Sequence, residues 1–327
     1  MTQLARAARI HTYGTPEVLV FEDVTIPAPA ADQVLIRNTV IGLNFVEVYY
    51  RRGTFPVPAF PATLGNEAAG VIAAVGSQVT GLKVGDRVVY SDDVQGAYAT
   101  HTLYQADRVA VIPDSITDQQ AAASFLKGLT ARYLLKEIID LSPGDTVLYH
   151  AAAGGVGKIF SQWAKALGIQ VIGTVSTDEK AEVARAAGCK YVINYRHENF
   201  KDRVMEMTGG VGVKAVFDSV GKDTFVDSLA VLQPKGTLVV FGKASGNPPL
   251  VDPFELAPRS LKLTWPVLPV FVATAPELAS AAADLFHAIE TGVIAVEPDK
   301  VYPFEQLVQA HRDLEERRTT GAAVLVI

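Results

Sequence analysis

A single cysteine, Cys189, serves the whole 327-residue chain. One thiol cannot close an internal disulfide, and it cannot build a thiolate zinc centre. Cys189 stands in AAGCKYVIN, just ahead of an apolar run, and reads as a small buried residue between a helix and a strand. An excess of positive charge is also missing. Lys and Arg number 29 against 35 Asp and Glu, a net charge of −6, which gives no general attraction for nucleic acid or an anionic membrane. No stretch reaches the roughly 18–20 unbroken apolar residues that span a bilayer. The opening MTQLARAARIHTYG has no apolar core of signal-peptide length, so a cytoplasmic location is expected. Internal repeats, low-complexity tracts and charge runs are absent. There is no G-x-S-x-G elbow, and none of the six histidines has a triad partner or metal-ligand spacing, which removes the hydrolase reading. His150, at the end of a strand, reads as structural or cofactor-adjacent; His101, His287 and His311 read as surface or packing residues.

What is present is a large apolar fraction, 49%, in a chain long enough for two domains. The first third carries short strand signals such as VLIRNTVIGLN, AAGVIAAVG and DRVVY, separated by Gly and Pro. It predicts a β-rich, partly closed barrel over residues 1–124. A helical pattern follows over 119–139, through Ala122, Phe125, Leu129, Tyr133 and Leu134. Strands and helices then alternate: TVLYH, VIGTV at 171–175, a helix capped by Asp178 and running to Ala187, YVIN, a helix over 198–208, AVFDSV, a helix over 223–232, and TLVVFG. Alternation of this kind predicts a parallel, doubly wound sheet over 125–265. The tail, 266–327, predicts helices over 276–290 and 303–317 and a final strand, AAVLVI, returning to the first domain.

After TVLYH comes Ala151-Ala152-Ala153-Gly154-Gly155-Val156-Gly157 and then KIFSQWAKALG. The order strand, glycine turn, amphipathic helix suits a dinucleotide. A helix N-terminus offers unpaired N–H groups, and glycines let the backbone approach a pyrophosphate. Ala152 occupies the place of the first fingerprint glycine, while Gly154 and Gly157 match. The second strand ends at Ser176-Thr177 with no carboxylate there to hold a ribose hydroxyl, and Lys180 follows. A hydroxyl with a cation suits a 2′-phosphate, so NADPH is expected over NADH. Tyr195, after the third strand, adds a hydroxyl or a stacking face. Asp178 and Glu179 are expected to point outward.

HAAAGGVG, AAASFLKGLTA, GLNFVEVYYRRG, LGNEAAGVIAAVG, VINYR, DSVG and FGKASG together resemble the zinc-free quinone oxidoreductases of the medium-chain dehydrogenase/reductase superfamily. The resemblance covers nearly the whole chain in the family's motif order. It implies a GroES-like catalytic domain built from both chain ends, a Rossmann domain between, an active site in the cleft between them, NADPH and a homodimer. It implies that Gly155 and Val156, within the Gly154–Gly157 turn, meet the pyrophosphate. Ser176, Lys180 and Tyr195 would hold the 2′-phosphate. Val220, Phe241, Gly242 and Lys243 would lie along the ribose and nicotinamide. Tyr133 and Arg317, with Arg318 adjacent, would add cofactor contacts, and Asn44 and Tyr49 would line the site near the reactive ring.

Zinc-dependent relatives place a cysteine where Asn44 stands and a histidine where Asn66 stands, and carry a four-cysteine lobe where this chain has SDDVQGAYATHTLY. Amides are poor zinc ligands beside thiolate and imidazole, and Glu67 alone is no metal site, so none is expected. Two departures from near relatives stand out: Phe55 replaces a tyrosine, and the apolar run TWPVLPVFV carries Trp265 where a polar residue is usual. The expected chemistry is transfer from NADPH to a quinone or a small conjugated carbonyl compound. Asn44 and Tyr49 are the candidate donors to the developing oxyanion. Lys127 stands behind them, read as a helix lysine that packs its stem and exposes its head. The rival readings are an enone or enoyl-thioester reductase and a non-catalytic NADPH-binding protein, structural or RNA-binding.

Overall fold

The computed structural model describes residues 2–91 and 96–327; residues 92–95 of the cysteine-free stretch lie outside the described residues. The chain forms two compact units. One comprises residues 1–129, 272–290 and 296–327; the other comprises 130–271 and 291–295. The expected break at 124/125 falls inside a helix, Asp118–Lys136. A helix carried by continuous main-chain hydrogen bonds has no reason to end where the fold changes units. The later break comes at 271/272 rather than 265/266.

The first unit opens with β1 (Gln3–Ile10), β2 (Val20–Ile26), β3 (Gln33–Leu43), α1 (Val46–Arg51), β4 (Ala62–Thr63), β5 (Glu67–Val75), β6 (Arg87–Ser91), β7 (His101–Gln105), β8 (Val109–Val111) and α2 (Asp118–Lys136). β3 organises it. β5 pairs along one edge, while β7 pairs at residues 33–37. The chain's last strand pairs antiparallel at residues 40–43. Val34, Ile36, Ile41 and Leu43 of β3 enter the core with Ala68 and Ile72 of β5.

The second unit contains β9 (Thr146–Tyr149), α3 (Gly155–Ala166), β10 (Gln170–Val175), α4 (Asp178–Ala186), β11 (Tyr191–Asn194), α5 (Phe200–Met207), β12 (Val213–Asp218), α6 (Phe225–Ala230), β13 (Leu232–Val240), β14 (Lys262–Thr264) and α7 (Leu268–Phe271). The sheet order is β11-β10-β9-β12-β13-β14, and every pairing is parallel. It is the doubly wound arrangement, with its switch point between β9 and β12. α3 buries Ile159, Phe160, Trp163 and Ala164, the three- and four-residue spacing of one helix face. α4 is capped by Thr177, whose hydroxyl accepts from Lys180 N at 3.2 Å. Asp178 is therefore the first helical residue and not the cap, because Thr177 holds the extended backbone that a cap needs. α5 and α6 are shorter than the spans 198–208 and 223–232.

The tail adds α8 (Ala275–Glu290), β15 (Lys300–Pro303), α9 (Leu307–Glu315) and β16 (Ala323–Val326). β16 pairs with β3 and β15, and Tyr302, Phe304, Leu307 and Leu325 join the core of the first unit. Among the described residues, no helix is long and apolar enough to cross a membrane.

Candidate active site

In the second unit, the candidate residues gather at the carboxyl ends of the parallel strands. The turn after β9 is tied to both neighbouring strands: His150 N donates to Phe217 O at 3.0 Å and Ala152 N to Thr174 O at 3.1 Å. Ala151 takes a positive φ of 59°, and Gly154 stands extended at the N-cap of α3. The first helical bond runs from Lys158 N to Gly154 O at 2.9 Å. The N–H groups of Gly155, Val156 and Gly157 therefore precede the ladder, with no side-chain cap and no acidic residue in the first turn. A Cβ on Gly157 would lie 2.6 Å from Ala152 O, so glycine lets the helix sit directly on its own turn.

β10 and β11 end side by side. Val175 pairs with Asn194, and Tyr195 N donates to Val175 O at 3.1 Å. Ser176 and Tyr195 thus follow directly on paired positions, and Lys180 lies in the first turn of α4. Ser176 is buried and Tyr195 is exposed. Asp178 is exposed but tethered, because Asn194 Nδ2 donates to its Oδ1 at 2.8 Å. Glu179 is exposed.

The turn after β12 is held by Asp218, fully buried, whose carboxylate accepts from Val220 N (2.8 Å), Gly221 N (3.0 Å) and Thr224 Oγ1 (2.7 Å). That turn is laced to the one after β13: Phe241 N donates to Asp218 O at 2.9 Å and Ser245 Oγ to Val220 O at 2.8 Å. A Cβ on Gly242 would lie 2.8 Å from Ser219 O. Lys243 Nζ donates to Asn247 at 3.1 Å. Val220, Phe241, Gly242 and Lys243 are so brought together. His150 supports this end from below, bonded at 2.9 Å to both Thr174 and Ser228, with burial lowering its pKa. Tyr133 is buried and stacks on Phe271 at 4.5 Å. Arg317 belongs to the first unit, where it is exposed after α9 at a φ of 58°. Cys189 is a packing residue, its thiol 3.2 Å from Ser161 Oγ and pushed by burial up to about 11.

The first unit holds a different kind of site. Asn44, at the end of β3, is buried, and its side chain is engaged throughout. Nδ2 donates to Glu67 Oε2 at 2.9 Å and to Glu47 Oε1 at 3.3 Å, while Oδ1 accepts from Lys127 Nζ at 2.7 Å. An amide has two N–H groups, and both are engaged, so Asn44 is not the oxyanion donor expected from sequence. Lys127 is corrected as well. Its head is buried, within 3.3 Å of Glu67 Oε2, instead of reaching solvent. The ion pair supplies what burial would otherwise cost an ammonium. Glu67 is fully buried and also accepts from Leu126 N at 2.6 Å. Gly42 makes room for it, since a Cβ there would lie 2.2 Å from Oε2.

Glu47 was missed from sequence. Asn44-Phe45-Val46-Glu47 has capping-box spacing, and Glu47 Oε2 reaches back to accept Asn44 N at 2.6 Å. Burial drives its pKa up to about 8, against the pull of Lys127 and the hydrogen bonds from Asn44 and Asn66. Behind it lie Tyr98, raised by burial and the neighbouring Glu47, and His311, lowered to about 3 by burial and Arg51. Arg51 Nη1 lies 3.0 Å from His311 Nδ1, and His311 Nε2 lies 2.9 Å from Tyr98 Oη. Arginine only donates, so His311 accepts at Nδ1 and carries its proton on Nε2. His311 is therefore a buried packing residue, the second of its two readings. Tyr49 sits half-buried between the rings of Phe45 and Phe55 at 5.3 and 5.2 Å; Phe55 therefore packs as an aromatic without a hydroxyl. Among the described residues, no cluster of three or more His, Cys, Asp or Glu could hold a metal ion.

Two family models match: an alcohol dehydrogenase GroES-like domain over residues 30–114 and a zinc-binding dehydrogenase over residues 155–285. A quinone oxidoreductase of Pseudomonas aeruginosa is 45% identical, covering 99% of this chain and 100% of its own. This chain belongs to the quinone oxidoreductase family of medium-chain dehydrogenase/reductases. The solved quinone oxidoreductase of Escherichia coli complexed with NADPH superposes with a TM-score of 0.95 at 44% identity, covering both chains fully. A 2-haloacrylate reductase from Burkholderia sp. is 41% identical over 99% of each chain.

Proposed function

We propose that the protein is an NADPH-dependent reductase of quinones that works without zinc. The observation that carries this reading is the strand-end corner of Ser176, Lys180 and Tyr195 beside the uncapped first turn of α3. The two together offer a cation and hydroxyls to a ribose phosphate and main-chain N–H groups to a pyrophosphate. Gly157 lets α3 sit directly on its own turn, and Gly154 brings no side chain to the helix end, so the first-turn N–H groups are left without a side-chain cap. Bound NADPH would supply a hydride at the nicotinamide ring. This chain's own residues bind and orient: Val220, Phe241, Gly242 and Lys243 form the neighbouring strand-end ledge, with Tyr133 buried in the same unit. Relatives named for quinones at 44–45% identity support the acceptor class.

The reading carries a cytoplasmic homodimer. β14 is an edge strand of its sheet, and Trp265, Val267 and Val270 just beyond it are exposed, an apolar edge that a second copy would cover. A second acceptor class, activated alkenes, is favoured by the relative named for reducing 2-haloacrylate.

NADPH oxidation measured with 1,4-benzoquinone, 1,2-naphthoquinone, an enone and crotonyl-CoA tests the assignment, with light scattering on the same sample. Turnover of the quinones by a dimer is expected. Tight NADPH binding without turnover of any acceptor would leave a binding protein, and strict preference for crotonyl-CoA would replace the quinone.

A further inference from the structure

We propose that the buried Lys127 ammonium is the electrophilic group that meets the substrate oxygen as it gathers negative charge. This rests on the quinone-reductase reading above.

The amide expected to serve is already engaged. Asn44 gives both its N–H groups to carboxylates, leaving nothing to offer an oxyanion. Lys127 has three N–H groups. One reaches Asn44 Oδ1 at 2.7 Å and one faces Glu67 Oε2 at 3.3 Å; the third has no acceptor among the described residues. The ammonium is therefore bonded to Asn44 and to Glu67, which neighbours Asn66. Asn44 and Asn66 are the two positions at which zinc-dependent relatives carry a metal-binding cysteine and histidine.

The cation is also held still. Glu67 is pinned by Leu126 N at 2.6 Å, on the residue before Lys127, and lies over Gly42, which has no side chain to displace it. A preorganised charge in a dry site stabilises a developing oxyanion more than a mobile one in water. Some 6% of the Lys127 side chain remains exposed, against none of Glu67, so the ammonium is the charged member of the pair that a small molecule can touch. Glu47, kept protonated by burial up to about 8, adds no charge to the Lys127–Glu67 pair, so the anion that develops there is not repelled.

The step balances simply. Bound NADPH would supply the quinone a hydride with its two electrons, leaving oxidised nicotinamide and a hydroquinone monoanion. A Lys127 N–H hydrogen-bonds that oxygen without transferring its proton, and a proton from solvent completes the hydroquinone.

The test compares wild type with Lys127→Gln, with the charge-balanced double variant Lys127→Gln/Glu67→Gln, and with Lys127→Arg; thermal melting and NADPH calorimetry establish that each is folded. Loss of kcat by about 10²–10³-fold is expected in both glutamine variants, larger for quinones whose hydroquinones are more basic, with NADPH affinity unchanged and partial recovery in Lys127→Arg. A second readout needs no turnover. Calorimetry should show wild type binding 4-nitrophenolate, an anion shaped like the hydroquinone monoanion, about tenfold or more tighter than nitrobenzene, a preference the double variant loses. An equal loss for every quinone with the phenolate preference intact, or no loss at all, overturns the proposal. Should wild type turn over no quinone, the function assignment fails, and the phenolate preference still decides whether Lys127 is an anion-facing group.

Discussion

At the strand ends of the parallel sheet, the groups available to a ligand are main-chain N–H groups of a helix first turn and side chains at the surface or just beneath it. In the first unit, the groups of interest are four side chains, Asn44, Glu47, Glu67 and Lys127, each at most 6% exposed and each bonded to another. The first arrangement offers a ligand backbone that exists whatever the side chains do. The second holds charge in place with other charge, and removing any member leaves a neighbour buried without its partner. Binding in the second unit should therefore degrade gradually, whereas the first-unit cluster should fail as a unit.

The sharpest way to break that contrast is Gly42→Ala. The added methyl would fall 2.2 Å from Glu67 Oε2 and 2.5 Å from Ala122 O, so the carboxylate must leave Lys127 and Asn44. We expect a stability loss of about 3–5 kcal/mol, the range for a buried pair deprived of one partner, read by denaturant melting, with NADPH affinity retained in whatever fraction folds. A loss under about 1 kcal/mol would show the cluster to be pliable and the two regions alike.

A smaller effect is expected from Lys180→Ala on the other side of the comparison. One charge-assisted contact to a 2′-phosphate is worth about 1.5–3 kcal/mol, so NADPH should bind roughly ten- to a hundredfold more weakly while NADH binding and melting stay where they were. An equal fall for both cofactors would mean that Lys180 supports α4 and not a phosphate.

The same contrast explains what could be read from the sequence. The strand-turn-helix order around Gly154–Gly157 and the endings at Ser176 and Tyr195 are local patterns, and local patterns survive in a one-dimensional string. Lys127 was misread because a lysine on a helix exposes its head unless something distant holds it. Here the holders, Asn44 and Glu67, lie 83 and 60 residues away. Glu47 did carry a signal, the spacing Asn44-x-x-Glu47, and Gly42 carried a weaker one, a glycine within a strand of β-branched and apolar residues. The cap of α4 moved by one residue because threonine and aspartate compete for the same position, and only the backbone angles decide between them. His311 could not be separated from a surface histidine, since its partners Arg51 and Tyr98 are 260 and 213 residues distant.

The most specific test concerns the pH dependence of stability. Glu47 is fully buried and faces Lys127 of α2, Tyr98 and the main-chain N–H groups of Asn44 and Asn66, with Glu67 reached through the Asn44 amide. Burial lifts it from 4.5 to about 8. Below pH 4.5 it is protonated in folded and unfolded chains alike. Between 4.5 and 8 the unfolded chain releases a proton that the folded chain keeps, so this group's contribution to stability falls as pH rises, by at most about 1.4 kcal/mol per unit. Above 8 both forms are ionised and the slope vanishes. His311 acts in the opposite direction. Lowered to about 3, it loses stability as pH falls from 6.5 toward 3, but it is present in wild type and variant and cancels in their difference. Glu47→Gln removes the titration while keeping the shape and an acceptor for Asn44 N. Wild-type stability minus that of the variant should therefore decline steadily from pH 4.5 to 8 and then level. A difference independent of pH would show that Glu47 ionises as freely folded as unfolded, and the cluster would then resemble the open strand-end corner after all.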